Sequence, residues 1–395
     1  MVVPDLGSGR CRGRRHGVPA AAEAVVRAPV ILVAHTANVS GAEKMLLAVL
    51  GEARRANRPV TVLCPPGALA DTLPAEVRHV SIPDLGLGGQ GGVARVAAAG
   101  RMLARWATAA RVLRRIARPA TDGTRPVVVV NSLFALPAAR LAGRGGGLPG
   151  GVSWLVHDAV PGGRQRAVAR LGLPGIDRVV ACTEAAAAPV RALGADVRVV
   201  PYGVRWPVTD FRGARHNPPV VGMLALLTPW KGHRVLLDAV ARLDGVIVEL
   251  AGGSFSGDQA YVDELRTRAA RPDLAGRVRF LGHVDPDTVM AGWDVVVSSS
   301  VLPEAGPLSV LEAMAHGLPV VASAHGGPTE FLTDGAGVLV PPGDADALAR
   351  EIAALLADDE RRATIGGRAR AAVADRHDVA TTLPHLLDAL TAVSR

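Results

Sequence analysis

Two glutamates, Glu304 and Glu312, interrupt a segment that is otherwise small and apolar, LPEAGPLSVLEAMAHGLPVV at residues 302–321. Glutamate is rarely buried in a protein core unless another group pairs with it. Pro307 can serve as the first residue of a helix, which would place Glu304 in the preceding loop and Glu312 on the helix itself. Both carboxylates are then expected to line one cleft at the edge of a sheet.

The predicted helix start between the two acids could bind a phosphorylated ligand. The first backbone amides of a helix have no partner within it, and here they belong to Leu308 and Ser309. Such amides suit phosphate oxygens, while carboxylates accept hydrogen bonds from sugar hydroxyls. The pattern favours a ligand with an anionic centre and hydroxyls at both ends. The alternative, a capped core helix with two solvated acids, leaves Glu312 unexplained.

The use of lysine indicates a second candidate. The chain has 44 basic residues, of which only Lys44 and Lys231 are lysines. Lysine supplies a compact point charge, unlike the planar fork of arginine. Lys231 stands beside Gly232 at a predicted strand-to-helix turn, where it could bind phosphate. Judged from the lysine count alone, a phosphate site and chance retention of the lysine are equally good explanations. Lys44 lies inside a predicted helix and is expected to be solvated.

Two further loops follow predicted strands. Ser40 and Glu43 have the spacing of a helix capping box, and Gly41 between them would let backbone approach a phosphate closely. An ordinary helix cap is the plainer interpretation of this loop. His157 follows the apolar strand VSWLV and is either a core histidine or a residue of the cleft.

These loops are positioned by alternating strands and helices. The predicted strands are PVILVA, PVTVLC, RHVSI, PVVVVN, VSWLV, RVVA and VRVV up to residue 200, then PVVGML, VIVELAG, RVRFLG, DVVVSS, PVVAS and GVLVPP from residue 219. Continuous apolar strands separated by helices indicate parallel strands buried on both faces. Ligands of such sheets bind beyond the carboxyl ends of the strands. The predicted fold class is α/β, with two doubly wound Rossmann-like domains facing each other across a cleft.

The predicted domain organisation has five parts. They are a basic lead (1–28), an N-terminal Rossmann-like domain (29–204), a polar, proline-marked linker (205–218), a C-terminal Rossmann-like domain (219–378) and a terminal helix (379–395). The lead is basic like a signal peptide, but Glu23 and Arg27 break its short apolar part, so we interpret it as an arginine-rich lead-in.

Composition excludes several classes of protein. With 49% hydrophobic and 20% charged residues the chain is globular rather than disordered. No apolar run reaches the roughly 18 residues of a spanning helix. The three cysteines lack metal-binding spacing, which suits a reducing cytoplasm. With 3% aromatic residues and no recognisable binding motif, nucleic acid is not expected as a partner.

Charge is distributed unevenly along the chain. Residues 1–205 hold 27 basic and 12 acidic residues, a balance of +15, and residues 206–395 hold 17 and 24, a balance of −7, which together give +8. Such asymmetry suggests that one domain meets something acidic, but on charge alone the favoured explanation is a soluble protein from an arginine-rich genome.

The segment 100–119 concentrates this charge. Arginines flank a helical stripe of Met102, Trp106, Leu113 and Ile116. The stripe is expected to pack on its own sheet, while the alternative is a helix on the inner face of an anionic membrane.

The chain resembles the retaining glycosyltransferases of family 4, which have the GT-B fold, over nearly its whole length. The most specific element is the E-x7-E signature EAGPLSVLE, followed by AMAHGLPVVAS and GGPTEF. Supporting elements are VSGAEKM, WLVHD, VVPYGV, TPWKG, VRFLGHV and GVLVPPGD.

The resemblance implies a role for each candidate residue toward a nucleotide-sugar donor. Glu304 would contact the donor sugar and Glu312 the ribose. Lys231 and the amides of Leu308 and Ser309 would bind the diphosphate. The remaining implied contacts are His157 near the reacting centre, Gly41 on the diphosphate from the other domain, and the backbone of Gly282 and Val284 on the base. His157, Lys231 and Glu304 would be the catalytic residues.

The implied activity is transfer of a hexosyl group, with retention, to a hydroxyl of a lipid-linked, natural-product or polysaccharide acceptor. No metal or other cofactor is implied, and the DPD and DAD sequences at 285–287 and 344–346 are interpreted as helix caps.

The chain departs from the family at two places. Ala225 and Leu226 replace a glycine and an arginine, and Gly306 and Pro307 replace an aromatic residue and a glycine. Because this arginine is missing, a catalytically weak or inactive binding subunit is one alternative function. A nucleotide-sugar epimerase on the same architecture is the other alternative.

Overall fold

The computed structural model describes residues 27–86, 94–120, 123–158, 160, 162–207, 216–255 and 257–392. Within these ranges, seven parallel strands form the first sheet, in the order β3-β2-β1-β4-β5-β6-β7. They are β1 (Val30–Val33), β2 (Val60–Cys64), β3 (Arg78–Ser81), β4 (Val127–Val130), β5 (Val152–Val156), β6 (Arg178–Ala181) and β7 (Val197–Val199).

The second sheet of the described part has six parallel strands in the order β10-β9-β8-β11-β12-β13. They are β8 (Val220–Leu224), β9 (Ile247–Ala251), β10 (Val278–Gly282), β11 (Val295–Ser298), β12 (Val320–Ser323) and β13 (Val338–Val340). Every predicted strand is present, and the α/β class with two doubly wound sheets is confirmed.

Helices connect the strands and cover the sheets. They are α1 (Gly41–Arg55), α2 (Ala68–Asp71), α3 (Ala94–Ile116), α4 (Leu136–Gly143), α5 (Gly163–Gly172), α6 (Glu184–Arg191), α7 (His233–Val240), α8 (Gln259–Ala269), α9 (Pro286–Met290), α10 (Leu308–Ala315), α11 (Pro328–Phe331), α12 (Ala345–Ala357), α13 (Asp359–Arg376) and α14 (Val379–Thr391). Central strands such as β1 and β4 are buried along their whole length, because helices pack on both faces.

The strand orders decide where ligands can bind. In each sheet the order reverses beside the first strand, between β1 and β4 and between β8 and β11. Connections leave in opposite directions at such a point and open a crevice at the carboxyl ends. The predicted site loops after β1, β5, β8 and β11 all start at these edges.

The chain crosses back to the first sheet at its C-terminal end. Asp378 pairs with Val204 in an isolated parallel bridge. The terminal helix α14 packs on α1 and β5, and the Ser153 hydroxyl donates a hydrogen bond of 2.6 Å to the Leu390 carbonyl. The predicted domain boundaries stay predictions, since 1–26 of the lead, 208–215 of the linker and 393–395 lie outside the described residues.

Helix α3 packs its apolar stripe inward. Met102, Trp106 and Leu113 are buried, and the Trp106 indole donates a 2.9 Å hydrogen bond to the Phe134 carbonyl. The stripe therefore belongs to the core, as expected, and is not free to enter a membrane. Among the helices of the described ranges, none combines the length and apolarity required to cross a bilayer.

Candidate functional site

A cavity of about 490 Å³ lies between the carboxyl edges of the two sheets. Most of the predicted site residues line it: Gly41, His157, Lys231, Val284, Glu304, Leu308, Ser309 and Glu312. Gly282 lies just outside the lining, where its carbonyl accepts a 2.7 Å hydrogen bond from the Gly252 amide. Residues far apart in sequence thus meet in one cleft, although their individual roles stay predictions.

Lys231 and Glu304 form an ion pair inside the cleft. Their side chains are only 15% and 8% exposed, so the pair is poorly screened by solvent. The Ser300 hydroxyl donates to the other oxygen of Glu304, and the Lys231 ammonium lies 4.2 Å from the centroid of the Trp230 ring. The carboxylate thereby holds a lysine with spare N–H donors at the cleft surface, where it could bind an anion.

The turn that carries Lys231 depends on a glycine. Gly232 has a φ of +77°, and a Cβ on it would lie 1.9 Å from the carbonyl oxygen of Ser299. The Val301 amide also donates a 2.8 Å hydrogen bond to the Trp230 carbonyl. These contacts hold the turn against the end of β11 and set the position of Lys231.

A pair of adjacent glycines supports the loop of Glu304. Gly326 has a φ of +66°, and its Cβ would lie 2.3 Å from the Glu304 carbonyl oxygen. The Gly327 amide donates a 2.8 Å hydrogen bond to the same oxygen. The sequence GGPTEF therefore acts through its backbone, by allowing the loop of Glu304 to lie directly on it.

Helix α10 begins at the cleft with free donors. Pro307 precedes it and provides no side-chain cap, and the amides of Leu308 and Ser309 have no acceptor among the described residues. The Glu312 carboxylate likewise makes no hydrogen bond or ion pair in the described part of the chain. Desolvation raises the pKa of Glu312, and the charge of Lys44 opposes this rise. Amides and carboxylate can therefore contact an incoming ligand.

Lys44 belongs to the cleft, which the sequence interpretation missed. It is exposed, as expected, but it lines the cavity from α1. No acidic side chain within the described ranges forms an ion pair with it. Both lysines of the chain therefore face one cavity, and the scarcity of lysine was a signal that applied to Lys44 as much as to Lys231.

A network of hydrogen-bonded side chains forms the wall of the cleft on the side of the first domain. Asn131 follows β4, His157 follows β5 and Tyr202 follows β7. The Asn131 amide donates to the Ala42 carbonyl at 3.0 Å, so its oxygen accepts from His157 Nε2 at 2.7 Å. This assignment leaves His157 Nδ1 to accept from the Tyr202 hydroxyl at 2.5 Å.

Burial and this hydrogen-bond network set the protonation state and the orientation of His157. Desolvation lowers the pKa of His157 to about 3, and the charge of His35 acts in the same direction, so the imidazole is neutral near pH 7. Both ring nitrogens already have partners, and the ring lines the cleft as a fixed wall. Asn131 and Tyr202 were not singled out from sequence; their signal was that each follows a predicted strand.

Asp158, beside His157, also lines the cavity. Desolvation raises its pKa to about 6, against the effect of a hydrogen bond from the Leu133 backbone. It is therefore a carboxylate whose charge changes close to neutral pH inside the cleft.

Other acidic residues serve as helix caps. Ser40 and Glu43 form the predicted capping box of α1. Asp285 accepts from the Thr288 amide at 3.1 Å and Asp344 from the Ala347 amide at 2.8 Å, as the DPD and DAD sequences predict. In the ranges that the structure describes, no three His, Cys, Asp or Glu side chains are grouped to hold a metal ion.

Comparison with known sequences finds a family match in the C-terminal half. Residues 206–372 match the sequence family described as glycosyl transferases group 1. The chain is 39% identical over 155 residues to the lipopolysaccharide core biosynthesis glycosyltransferase LpsE of Rhizobium meliloti, covering 38% of the chain and 44% of that protein. It is 38% identical over 195 residues to the phosphatidyl-myo-inositol mannosyltransferase of Mycolicibacterium smegmatis, covering 46% and 48%. The chain thus matches about half the length of these curated relatives.

Comparison with solved structures covers more of the chain. Anabaena HepE, in complex with UDP and glucose, has a TM-score of 0.76 at 24% identity, over 93% of this chain and all of that one. Sucrose-phosphate synthase of Thermosynechococcus elongatus has a TM-score of 0.76 at 21% identity, with the same coverage. At these identities the likeness establishes the fold, which is GT-B.

Proposed function

Because residues 206–372 match the family of glycosyl transferases group 1, we propose that this chain transfers a hexosyl group from a nucleotide-diphosphate sugar to an acceptor hydroxyl. Transfer occurs with retention at the anomeric carbon, as the family 4 resemblance implies. The observation that carries this proposal is the meeting of Lys231, Glu304, Glu312 and the free amides of α10 in one cleft.

The charges of the cleft match a nucleotide sugar. A diphosphate needs cations and N–H donors, which Lys231 and the amides of Leu308 and Ser309 supply. The sugar and ribose hydroxyls need acceptors, which Glu304 and Glu312 supply. Along the chain the amides of Leu308 and Ser309 lie between Glu304 and Glu312, as the diphosphate lies between the sugar and the ribose of the donor.

The reaction requires positioning rather than a protein nucleophile. The acceptor oxygen bonds to the anomeric carbon on the face from which the diphosphate departs, and its proton passes to a phosphate oxygen. Charge accumulates on the leaving diphosphate in the transition state, where Lys231 and the helix amides stabilise it. On this proposal no metal is needed, and transfer is expected to persist in EDTA.

Lys44 supplies a further positive charge from the first domain. Leu226 occupies the cavity lining where the family has an arginine, so the second domain lacks that cation. Lys44 lies across the same cavity and has no ion pair within the described residues. We assign it to the donor diphosphate, in partial replacement of the missing arginine.

A donor panel tests the proposal. UDP-, GDP-, ADP- and dTDP-sugars, beginning with UDP-glucose, are compared by thermal shift, because a ligand of the native state raises Tm. We expect one nucleotide class to raise Tm and to support transfer or slow donor hydrolysis. Glu312→Gln is expected to weaken its binding about tenfold through a lost charge-assisted hydrogen bond. Glu360→Gln, an exposed change on α13 away from the cavity, is the matched control.

The alternatives predict different outcomes. A binding subunit would show the Tm shift without transfer or hydrolysis, and an epimerase would convert the donor sugar without releasing nucleotide. Absence of any shift, with equal behaviour of both glutamine variants, would contradict a nucleotide-sugar site.

We further propose an anionic acceptor, lipid-linked or at the inner face of a membrane in the cytoplasm. A surface groove of about 430 Å³ is lined by Arg111, Arg114 and Arg115 of α3, by Arg118 just after this helix and by Leu141 of α4. Arg114 is committed to the carbonyls of Leu141, Ala142 and Arg144, whereas Arg111, Arg115 and Arg118 are exposed. With the stripe of α3 buried, such contact is electrostatic rather than by insertion.

Vesicle flotation checks the membrane contact. We expect binding to vesicles with anionic lipid, weakening as salt rises. Arg115→Gln with Arg118→Gln is expected to reduce binding by about thirtyfold, at roughly 1 kcal/mol for each of the two charges near the surface. The control, Arg271→Gln with Arg350→Gln, removes two exposed arginines from the other domain. Equal binding by neutral and anionic vesicles would contradict the proposal.

A further inference from the structure

The first domain contacts the second through the N-terminus of α6. The three amides that open this helix all have acceptors. The Ala186 amide donates to the Thr183 hydroxyl at 3.1 Å. The Glu184 and Ala185 amides donate to the carboxylate of Glu330, at 2.9 and 2.7 Å. Glu330 lies on α11 of the second domain, so one domain caps a helix of the other.

The hydroxyl of Thr183 has a second partner across the same interface. It donates a 2.5 Å hydrogen bond to the carbonyl of Ala305, the residue after Glu304. Thr183 is 1% exposed, so this hydrogen bond does not compete with bulk water. A single buried hydroxyl therefore connects the start of α6 to the loop that carries the cleft carboxylate.

The interface is close enough to exclude side chains. A Cβ on Gly306 would lie 2.9 Å from the Cys182 sulfur, so a larger residue here would push the loop away from the first domain. The glycine at this position, where the family has an aromatic residue, is explained by this approach. From the other side Gly326 and Gly327 contact the backbone of Glu304 and Ala305.

The loop 303–307 is thus held between two turns from different domains. One is the β6–α6 turn with Thr183, and the other is the glycine turn that begins α11. Glu330 joins these two turns directly through its hydrogen bonds to the α6 amides. Movement of one domain against the other would break these bonds and release the backbone beside Glu304.

We propose that Thr183 and Glu330 are positioning residues, through which the first domain sets the conformation of the Glu304 loop and hence the Lys231–Glu304 pair. The effect on the donor rests on the proposed function; the effect on the loop does not. In this arrangement the donor site of the second domain is complete only when the first domain is docked on it.

The test combines Thr183→Val, Thr183→Ser and Glu330→Gln. Valine keeps the shape of threonine but removes both hydrogen bonds, and serine restores the hydroxyl. Asp358→Ala is the matched control, because Asp358 accepts the Arg361 amide at 2.8 Å at the start of α13 without contacting the loop. Amide hydrogen exchange is followed by mass spectrometry in peptides covering 183–187 and 300–309, which needs no substrate.

We expect Thr183→Val and Glu330→Gln to accelerate exchange in peptides of both segments at least about fivefold. The donor kcat/KM should fall about tenfold in Thr183→Val, as for a lost buried hydrogen bond, with most of the change in KM. Thr183→Ser should restore both values. The idea is overturned if exchange in 300–309 stays at the wild-type rate, or if Asp358→Ala changes it equally. Failure of the wild type to bind any nucleotide would sink the proposed function, while the exchange result would still decide the positioning role.

Discussion

We expect Lys231→Ala to lower kcat for sugar transfer by about a hundredfold or more, the usual effect of removing one donor from a site of developing negative charge. Lys231 is held at the cleft by Glu304 and the Trp230 ring. Its ammonium is the cation of the second domain that faces the proposed diphosphate. Steady-state kinetics with the donor found in the nucleotide panel measures the change.

The variant also leaves the carboxylate of Glu304, which is only 8% exposed, without its ion-pair partner. An unpaired, partly buried charge can itself disturb a site. The double variant Lys231→Ala with Glu304→Gln is compared with Glu304→Gln alone, because neither protein carries the charge of the acid. If the two were equally active, the loss in Lys231→Ala would be due to the unpaired acid, and Lys231 would have no direct role. Lys44→Ala is expected to show a smaller loss, since its ammonium is more exposed.

A second large effect is expected from Gly326→Ala, which should lower kcat/KM at least about tenfold. The new methyl group would lie 2.3 Å from the Glu304 carbonyl oxygen and 2.8 Å from its amide nitrogen. These are backbone atoms, so no side-chain rotation relieves the contact. The loop of Glu304 must shift, and a catalytic group displaced by about 1 Å can lose about a hundredfold in rate.

Gly343→Ala is the matched control for this variant. Gly343 has a φ of +77°, close to the +66° of Gly326, but a Cβ there has no atom within 4 Å. Both variants therefore carry the cost of a left-handed alanine, about 1 kcal/mol, and only Gly326→Ala has the collision. Kinetics and thermal unfolding are measured for both. Equal losses in the two variants would show that backbone strain alone, not the approach to Glu304, explains the effect.

The two glycine-supported turns and the Lys231–Glu304 pair form one mechanical unit. Gly232 allows the lysine turn to lie against Ser299, and Gly326 allows the glutamate loop to lie against α11. The pair is thus positioned by backbone packing on both sides, so small changes in either turn are expected to reach the same ion pair.

Much of this protein was predictable from local sequence. Strands buried on both faces must be continuous apolar runs, so all the strands and both doubly wound sheets could be recognised without tertiary information. Capping depends on residues three apart, which is why the roles of Ser40, Glu43 and Asp285 as caps were predicted correctly. The E-x7-E spacing placed Glu304 before a helix and Glu312 on it for the same local reason.

Contacts between distant segments were decided only by the tertiary structure. Lys44 looked like an ordinary solvated helix residue, because a helical pattern does not show which domain faces it. The partners of His157, Asn131 and Tyr202, follow two other strands; their hydrogen bonds set its tautomer, and burial lowers its pKa. Thr183 and Glu330 are separated by most of one domain in sequence, so the contact that joins them to Glu304 arises only when the two sheets pack.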